Sequence, residues 1–556
     1  MNQQNNLVEI DGSRSEITPG VTLLEVLRRT GGEAIWGDDP VVLATINGRR
    51  ASLLEPLWGS EQVRLMRLSD PETHSTSVRT LCFVLAQATS ELFPHHPLVI
   101  DFSYGGGIYC ELQRDASLDL EEIEQLRARM HELVAKGLLL TPRIYGMREL
   151  LRLLKRLGRE SSLRTARYIR REAMTLFLME GTEQIFYGMQ LPSTAHVRAF
   201  DLQPEAPGFV LLPSLPGRPD RPVSFHAQPK LLKTLRDYSH WLDEQEIGDI
   251  GQLNHLVVEG RVNELIQVCE ARHSHVFVQA AERISQMCED GRLILIAGPS
   301  SSGKTSFAKR LAVQLRVLGF CPYTLSLDDY FVNREETPRD GDGEYDYESL
   351  AAIRVELFND HLQALMAGDA VHLPDYNFHT GTSRLREETL RLRRGQPLII
   401  EGIHALNPAL TPAIGSQNKL HIYVSALNHM NIDNYSYIPT TLTRLYRRIV
   451  RDAQFRGYTA AETLRRWPKV REGEDRYIFP FQQNADIFFN SGLAYELGVL
   501  KLWAEPRLSA VDPEDPNYGR ARSLVDFLTL LLPIDARLVP PTSLLREFIG
   551  ESGFQY

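Results

Sequence analysis

Five short apolar runs recur through the second half of the chain: "LILIA" at 293–297, "YTLSL" at 323–327, "PLIIEG" at 397–402, "HIYVS" at 421–425 and "ADIFF" at 485–489. Helix-length segments separate them, and unbroken apolar runs so spaced predict a parallel sheet covered on both faces. The first connection, "SFAKRLAVQLRVLG", sets Phe307, Leu311, Leu315 and Leu318 at helical spacing, with Gly319 placed to end the helix. The first half reads differently. Residues 1–70 alternate strand-like stretches such as "VVLATING" with turn signals at Pro19-Gly20, Gly31-Gly32 and Asn47-Gly48, around one amphipathic segment, "TLLEVLRRTGG". From 71 to 220 helical patterns such as "LEEIEQLRARMHELVAKG" alternate with strands, and "PSLPGRPDRP" reads as a closing linker. Residues 221–289 predict a helical connector, 290–505 the parallel-sheet domain, and 506–556 a helical tail in which "SLVDFLTLLL" packs back on the body.

Composition narrows the class. A chain of 556 residues is too long for one core, and 43% hydrophobic with 24% charged residues describes a globular protein. No apolar run reaches the ~18 residues of a membrane span, and "MNQQNNLVEIDG" lacks the basic and apolar regions of a secretory signal. The expectation is a cytoplasmic protein without a membrane partner. The five cysteines, Cys82, Cys110, Cys269, Cys288 and Cys321, show no spacing for zinc or a disulfide framework. A net charge of −10 argues against sequence-independent nucleic-acid binding over the whole surface, leaving room for a local basic patch.

Chemistry enters at "GPSSSGKTSF". Residues 298–305 match G-x-x-x-x-G-K-[ST] in full, after a predicted strand and before a predicted helix. Gly298, Pro299, Ser300, Ser301, Ser302, Gly303, Lys304, Thr305 and Ser306 are the candidate nucleotide cradle for ATP or GTP. Glycines let backbone N–H groups turn inward, and the helix N-terminus favours an anion. Lys304 would meet the β- and γ-phosphates, and the Thr305 hydroxyl would bind Mg²⁺. "TLSLDDYF" then puts Asp328 and Asp329 at the C-terminal end of the next strand, the edge where open α/β sheets keep their sites. Asp328 is the candidate base for a hydroxyl acceptor. Glu401, closing "PLIIE", stands where an acid without other partners would hold Mg²⁺. Arg444, Arg447, Arg448 and Arg451 fall on one side of a helix, four unpaired cations that predict a phosphate clamp.

Taken together, "GPSSSGKTSF", "SLDDYF", "YDYESL", "LPDYNFHTGTSR" and "IIEGIHAL" resemble the uridine kinase and phosphoribulokinase group of P-loop kinases, over about 290–505. The resemblance implies an α/β P-loop kinase fold and a nucleoside acceptor. It makes Asp328 the base, Glu401 a Mg²⁺ ligand, Asp346 the holder of the ribose hydroxyls and Tyr376 a wall against the nucleoside. "TRLYRRIVRDAQFRG" is similar to the lid of uridine kinases, which makes Arg448 and Arg451 catalytic and Arg448 a substrate contact as well. The chain departs from those kinases at Asn377, at the displaced His379 and at Tyr458.

The extension has its own resemblance. Residues 1–70 look like a TGS domain, a β-grasp module, and 71–220 resemble the second, editing domain of threonyl-tRNA synthetase through "LAQATSELFP", "YGGGIYCEL" and "MQLPSTAHVRAFDL". By that alignment the editing positions hold Arg79, Phe83, Phe186 and Gln190, which offer neither metal ligand nor acid-base group. The expected activity is ATP- and Mg²⁺-dependent phosphorylation of a pyrimidine ribonucleoside. Two alternatives stand beside it: a nucleotide-driven switch with an RNA- or ribosome-binding front half, and a kinase for a phosphorylated sugar. Homo-oligomerisation stays open.

Overall fold

The apolar runs of the second half form one five-stranded sheet in the computed structural model, which describes residues 7–31, 37–287, 293–341, 343–377, 380–412, 414–415, 418–427 and 430–555. Cys288 and His379 lie outside these residues. The strands are β1 (Leu293–Ala297), β2 (Tyr323–Ser326), β3 (Leu398–Glu401), β4 (Lys419–Ser425) and β5 (Ile487–Asn490), in the spatial order β2-β3-β1-β4-β5. Every neighbouring pair is parallel, with Leu295 opposite Ile400 on one side and His421 on the other. Leu293, Leu295 and Ala297 join the cluster on one face of the sheet, and Ile294 and Ile296 the cluster on the other. Both sets are buried, which is why the run carries no polar alternation.

Helices α1 (Val262–Ser285) and α2 (Lys304–Val317) cover one face through Phe277, Ile284, Phe307 and Leu311. Glu270 ties them together, its carboxylate accepting from Arg310 at 3.2 Å and from Tyr495 at 2.7 Å. Helices α3 (Thr440–Arg451) and α4 (Ala460–Tyr477) follow β4, joined through a π-helical turn over Asp452–Arg456. Leu445, Ile449 and Leu464 of these helices share a core with Leu524, Leu528, Leu545 and Phe548, so the tail does pack back on the body. Its helix spans Tyr518–Leu528, starting and stopping earlier than expected, and Leu530 and Leu531 enter the core from a turn.

The N-terminal half builds its own sheets. Five strands within residues 7–67 form a mixed sheet packed against the helix Leu23–Gly31, the expected β-grasp arrangement. A four-stranded antiparallel sheet (Leu98–Tyr104, Gly107–Leu112, Asp201–Glu205, Gly208–Leu212) packs against the helix His74–Leu92. The expected linker is a hairpin instead: Ser214–Leu215 pairs with Arg218–Pro222 around Pro216-Gly217, where Gly217 has φ +73°. Proline pre-sets the first turn position and glycine takes the left-handed second, so a composition that reads as loose is a tight turn. The stretch expected to be a helical connector holds Pro229–Glu244, Ile250–Val258 and α1. No helix of the described residues is long and apolar enough to cross a membrane.

Candidate active site

The loop 298–303 leaves the C-terminal end of β1 and enters α2. A Cβ on Gly298 would come within 1.9 Å of the Val424 carbonyl oxygen, so only glycine lets the loop pass against β4. Gly303 caps α2 at φ +90°, and Ser301 is also left-handed at φ +59°, a strained loop held by its surroundings. The buried hydroxyls of Ser301 and Ser302 have no hydrogen-bond partner among the described residues. The first turn of α2 that follows carries the N–H groups a helix start leaves open to an anion. Lys304 reaches back along the loop, donating from Nζ to the Pro299 carbonyl at 3.1 Å.

Strand register delivers the acids. Glu401 lies opposite Ile296 of β1 and Ser326 of β2. Its Oε1 accepts from Thr305 Oγ1 at 3.2 Å and from Ser326 Oγ at 3.1 Å, so it is not the partnerless acid the sequence suggested. Burial, helped by the nearby charge of Asp328, lifts its carboxyl to about 7, while Lys304 pulls the other way. Asp328 sits in the 3-10 turn Leu327–Tyr330 after β2, solvent-accessible at the cleft mouth. Enclosure by the surrounding protein raises its carboxyl, against the pull of Lys304, Arg456 and Arg451. Its neighbour is engaged elsewhere: Asp329 pairs with Arg386 at 3.1 Å, and burial lifts it to about 6. Of the two acids, Asp328 makes no ion pair among the described residues and feels Lys304.

The four arginines of α3 are not unpaired. Arg444 is buried against Glu474 and Arg447 against Glu496, where Arg447 Nε donates to the carboxylate at 2.6 Å. Both also reach the nucleotide loop, Arg444 donating to the Ser300 carbonyl at 3.3 Å and Arg447 to those of Ser301 and Ser302 at 3.4 Å. They brace the loop rather than face a ligand. Arg448 points into the cleft, donating to Ser300 Oγ at 2.7 Å, with Asp452 3.3 Å from its Nε. Arg451 also meets Asp452, at 3.4 Å, and burial pushes its guanidinium down to about 10, still charged at neutral pH. Sequence reasoning missed Glu474 and Glu496, because each pairs with an arginine 30 or 49 residues away.

On the acceptor side, Asp346 accepts the Glu348 backbone N–H at 3.1 Å and the Tyr477 hydroxyl at 3.1 Å. Tyr376 is nearly buried, its ring 5.4 Å from that of Phe331, leaving little of it open to a ligand. Glu348 was also missed, although it stands within the quoted "YDYESL". Burial lifts its carboxyl to about 7, and it feels Arg448, Lys304 and Asp328, which places it among the cleft groups.

The four positions that the resemblance sets against editing residues are engaged with the protein itself. Phe83 and Phe186 stack with centroids 4.8 Å apart. Arg79 donates to the Met189 carbonyl at 2.9 Å, and Gln190 accepts from Thr80 at 3.0 Å.

Residues 293–496 match the phosphoribulokinase / uridine kinase family. A uridine kinase of Tolumonas auensis is 32% identical over 206 residues, covering 36% of this chain and 86% of the relative. A threonine–tRNA ligase of Pelobacter propionicus is 24% identical over 192 residues of the N-terminal part, 34% of this chain but 30% of the ligase. The chain thus spans less than a third of that relative. A solved structure, a possible uridine kinase from Bacillus stearothermophilus, is 22% identical and aligns over 40% of this chain and 99% of its own, with a TM-score of 0.29.

Proposed function

The chain belongs to the phosphoribulokinase and uridine kinase family and is a phosphotransferase, and from that premise we propose an ATP- and Mg²⁺-dependent kinase acting on the 5′-hydroxyl of a pyrimidine ribonucleoside. The observation that carries this reading is the meeting of Lys304, Asp328 and Glu401 at the C-terminal ends of β1, β2 and β3, with Arg448 reaching in from α3. In this reading the loop 298–306 cradles the phosphates, and Lys304 aligns the β- and γ-phosphates. Asp346 holds the ribose hydroxyls, and the edge of Tyr376 borders the base. Asp328 accepts the 5′-hydroxyl proton as the new O–P bond forms and the bond from the γ-phosphorus to the ADP oxygen breaks. Arg448 and Arg451 balance the charge of the transferring group. Thr305 and Glu401 offer hard oxygen donors suited to Mg²⁺, which when bound neutralises phosphate charge.

Residues 290–505 are read as the catalytic domain and 506–556 as its tail, with 221–289 connecting them to two units, 1–70 and 71–220, that regulate or assemble the kinase. The stacked rings of Phe83 and Phe186 support a non-editing role. The deciding experiment supplies purified protein with ATP, Mg²⁺ and a panel of pyrimidine and purine nucleosides and phosphorylated sugars. The expected result is uridine or cytidine 5′-monophosphate formed in step with ADP. ADP release without any phosphorylated acceptor would point to a nucleotide-driven switch and overturn the kinase reading.

A further inference from the structure

A carboxylate from the far end of the chain stands inside the phosphate cradle. Glu547 Oε2 accepts from the Ser306 backbone N–H at 3.2 Å and from Ser306 Oγ at 2.6 Å. Ser306 is the third residue of α2, so its N–H is one of the orphan donors that the nucleotide loop offers to an anion. Leu544, three residues before Glu547, is buried with Ile296 and Phe307, 3.1 Å from where a Cβ on Gly303 would be. Lys309, one turn further along α2, donates to the Gln555 carbonyl.

We propose that Glu547 is an internal occupant of the donor-phosphate site, a latch that the nucleotide must displace from Ser306 before its inner phosphates can be held. The inference rests on the nucleotide-binding reading of the loop. Two anions cannot share one pair of donors at hydrogen-bond distance, so the carboxylate and a phosphate exclude each other. Lys304 lies at the start of the same helix, where it would hold the outer phosphates, so the latch blocks the inner end of the cradle. The turn that carries Glu547 is anchored in the core beside α3. Leu545, Phe548 and Ile549 are buried with Leu445 and Ile449 of α3, Arg447 lies 5.1 Å from the Phe548 ring centroid, and Gln454 donates to the Phe548 carbonyl at 3.2 Å. Rotation of the half-exposed Glu547 side chain alone frees the donors, and the anchor keeps the acid at high local concentration for return.

The test measures ATP binding by calorimetry, and KM for ATP, in wild type, Glu547→Gln, Glu547→Ala and the control Glu551→Gln, an exposed acid four residues on. Thermal unfolding of each variant verifies folding. The latch predicts ATP binding tighter by roughly 10- to 100-fold in Glu547→Ala, the scale of a displaced charge-assisted hydrogen bond, and by less in Glu547→Gln, which keeps an acceptor. Glu551→Gln should match wild type. Equal or weaker ATP binding in folded Glu547→Ala overturns the latch while leaving the nucleotide reading intact. Absence of ATP binding in every variant overturns both.

Discussion

The cleft beyond β1–β3 and the pocket around Phe83 each gather side chains from a helix and neighbouring strands, yet they hold opposite contents. In the cleft, Lys304, Asp328, Glu401 and Glu348 keep charge in a confined space, and the loop stores strain at Ser301. Burial raises the carboxyls of Glu348 and Glu401 to about 7, which opposes their ionisation and therefore opposes folding at neutral pH. Around Phe83, two stacked rings replace such groups, and Arg79 and Gln190 are satisfied by the protein itself. An aromatic pair contributes about 0.5–1.5 kcal/mol beyond its area burial. One region gathers charged groups and the other packs apolar rings. Chemistry resides in the side chains a fold carries, not in the fold.

Four substitutions should break or sharpen that contrast. Lys304→Ala should have the largest effect, abolishing phosphoryl transfer and weakening ATP binding, because it removes the cation that the loop itself supplies; a coupled ADP-release assay with calorimetry reads both. Asp328→Asn should lower kcat by roughly 10²- to 10⁴-fold with ATP affinity nearly unchanged, since it keeps the shape but cannot accept the proton. The wild-type pH profile sharpens this. A base must be ionised, and a raised carboxyl keeps its proton to higher pH, so the acid limb of kcat should lie above the ordinary aspartate range and vanish in Asp328→Asn.

In the packed pocket, Phe83→Ala should instead cost about 3–5 kcal/mol of stability in denaturant unfolding, with kcat per folded molecule unchanged. A loss of catalysis at full stability would show that the pocket communicates with the cleft. Asp346→Ala should be the mildest, raising the acceptor KM and lowering kcat/KM by about 1.5–3 kcal/mol, with ATP bound as before. Steady-state kinetics with ribo- and 2′,3′-dideoxynucleosides provides the discriminating measurement: removing the sugar hydroxyls should penalise wild type far more than Asp346→Ala.

Much of the cleft was legible because its signals are local. Nine contiguous residues form the loop and the first residues of α2, and Asp328 and Glu401 close runs that pair as parallel strands. The arginine helix was legible as a pattern but misread as a set of free cations. Its partners Glu474 and Glu496 lie on other elements, and nothing in the spacing around Arg444 announces them. The expected linker failed for a different reason: proline, glycine and charge suit both a loose tether and a hairpin turn, and only pairing between Ser214–Leu215 and Arg218–Pro222 decides between them.

By itself, the sequence determined the parallel sheet, the glycine-rich loop at its centre and the acids at its C-terminal edge. Periodicity, glycine placement and residue chemistry act over a few neighbouring positions, so each can be read from a short window. The tertiary structure alone decided which arginines brace the loop and which face the cleft, that the Phe83 and Phe186 rings stack on each other, and that Glu547 reaches Ser306 across 241 positions of chain. Those outcomes depend on long-range packing, where a charge takes whichever partner the fold brings within hydrogen-bond reach.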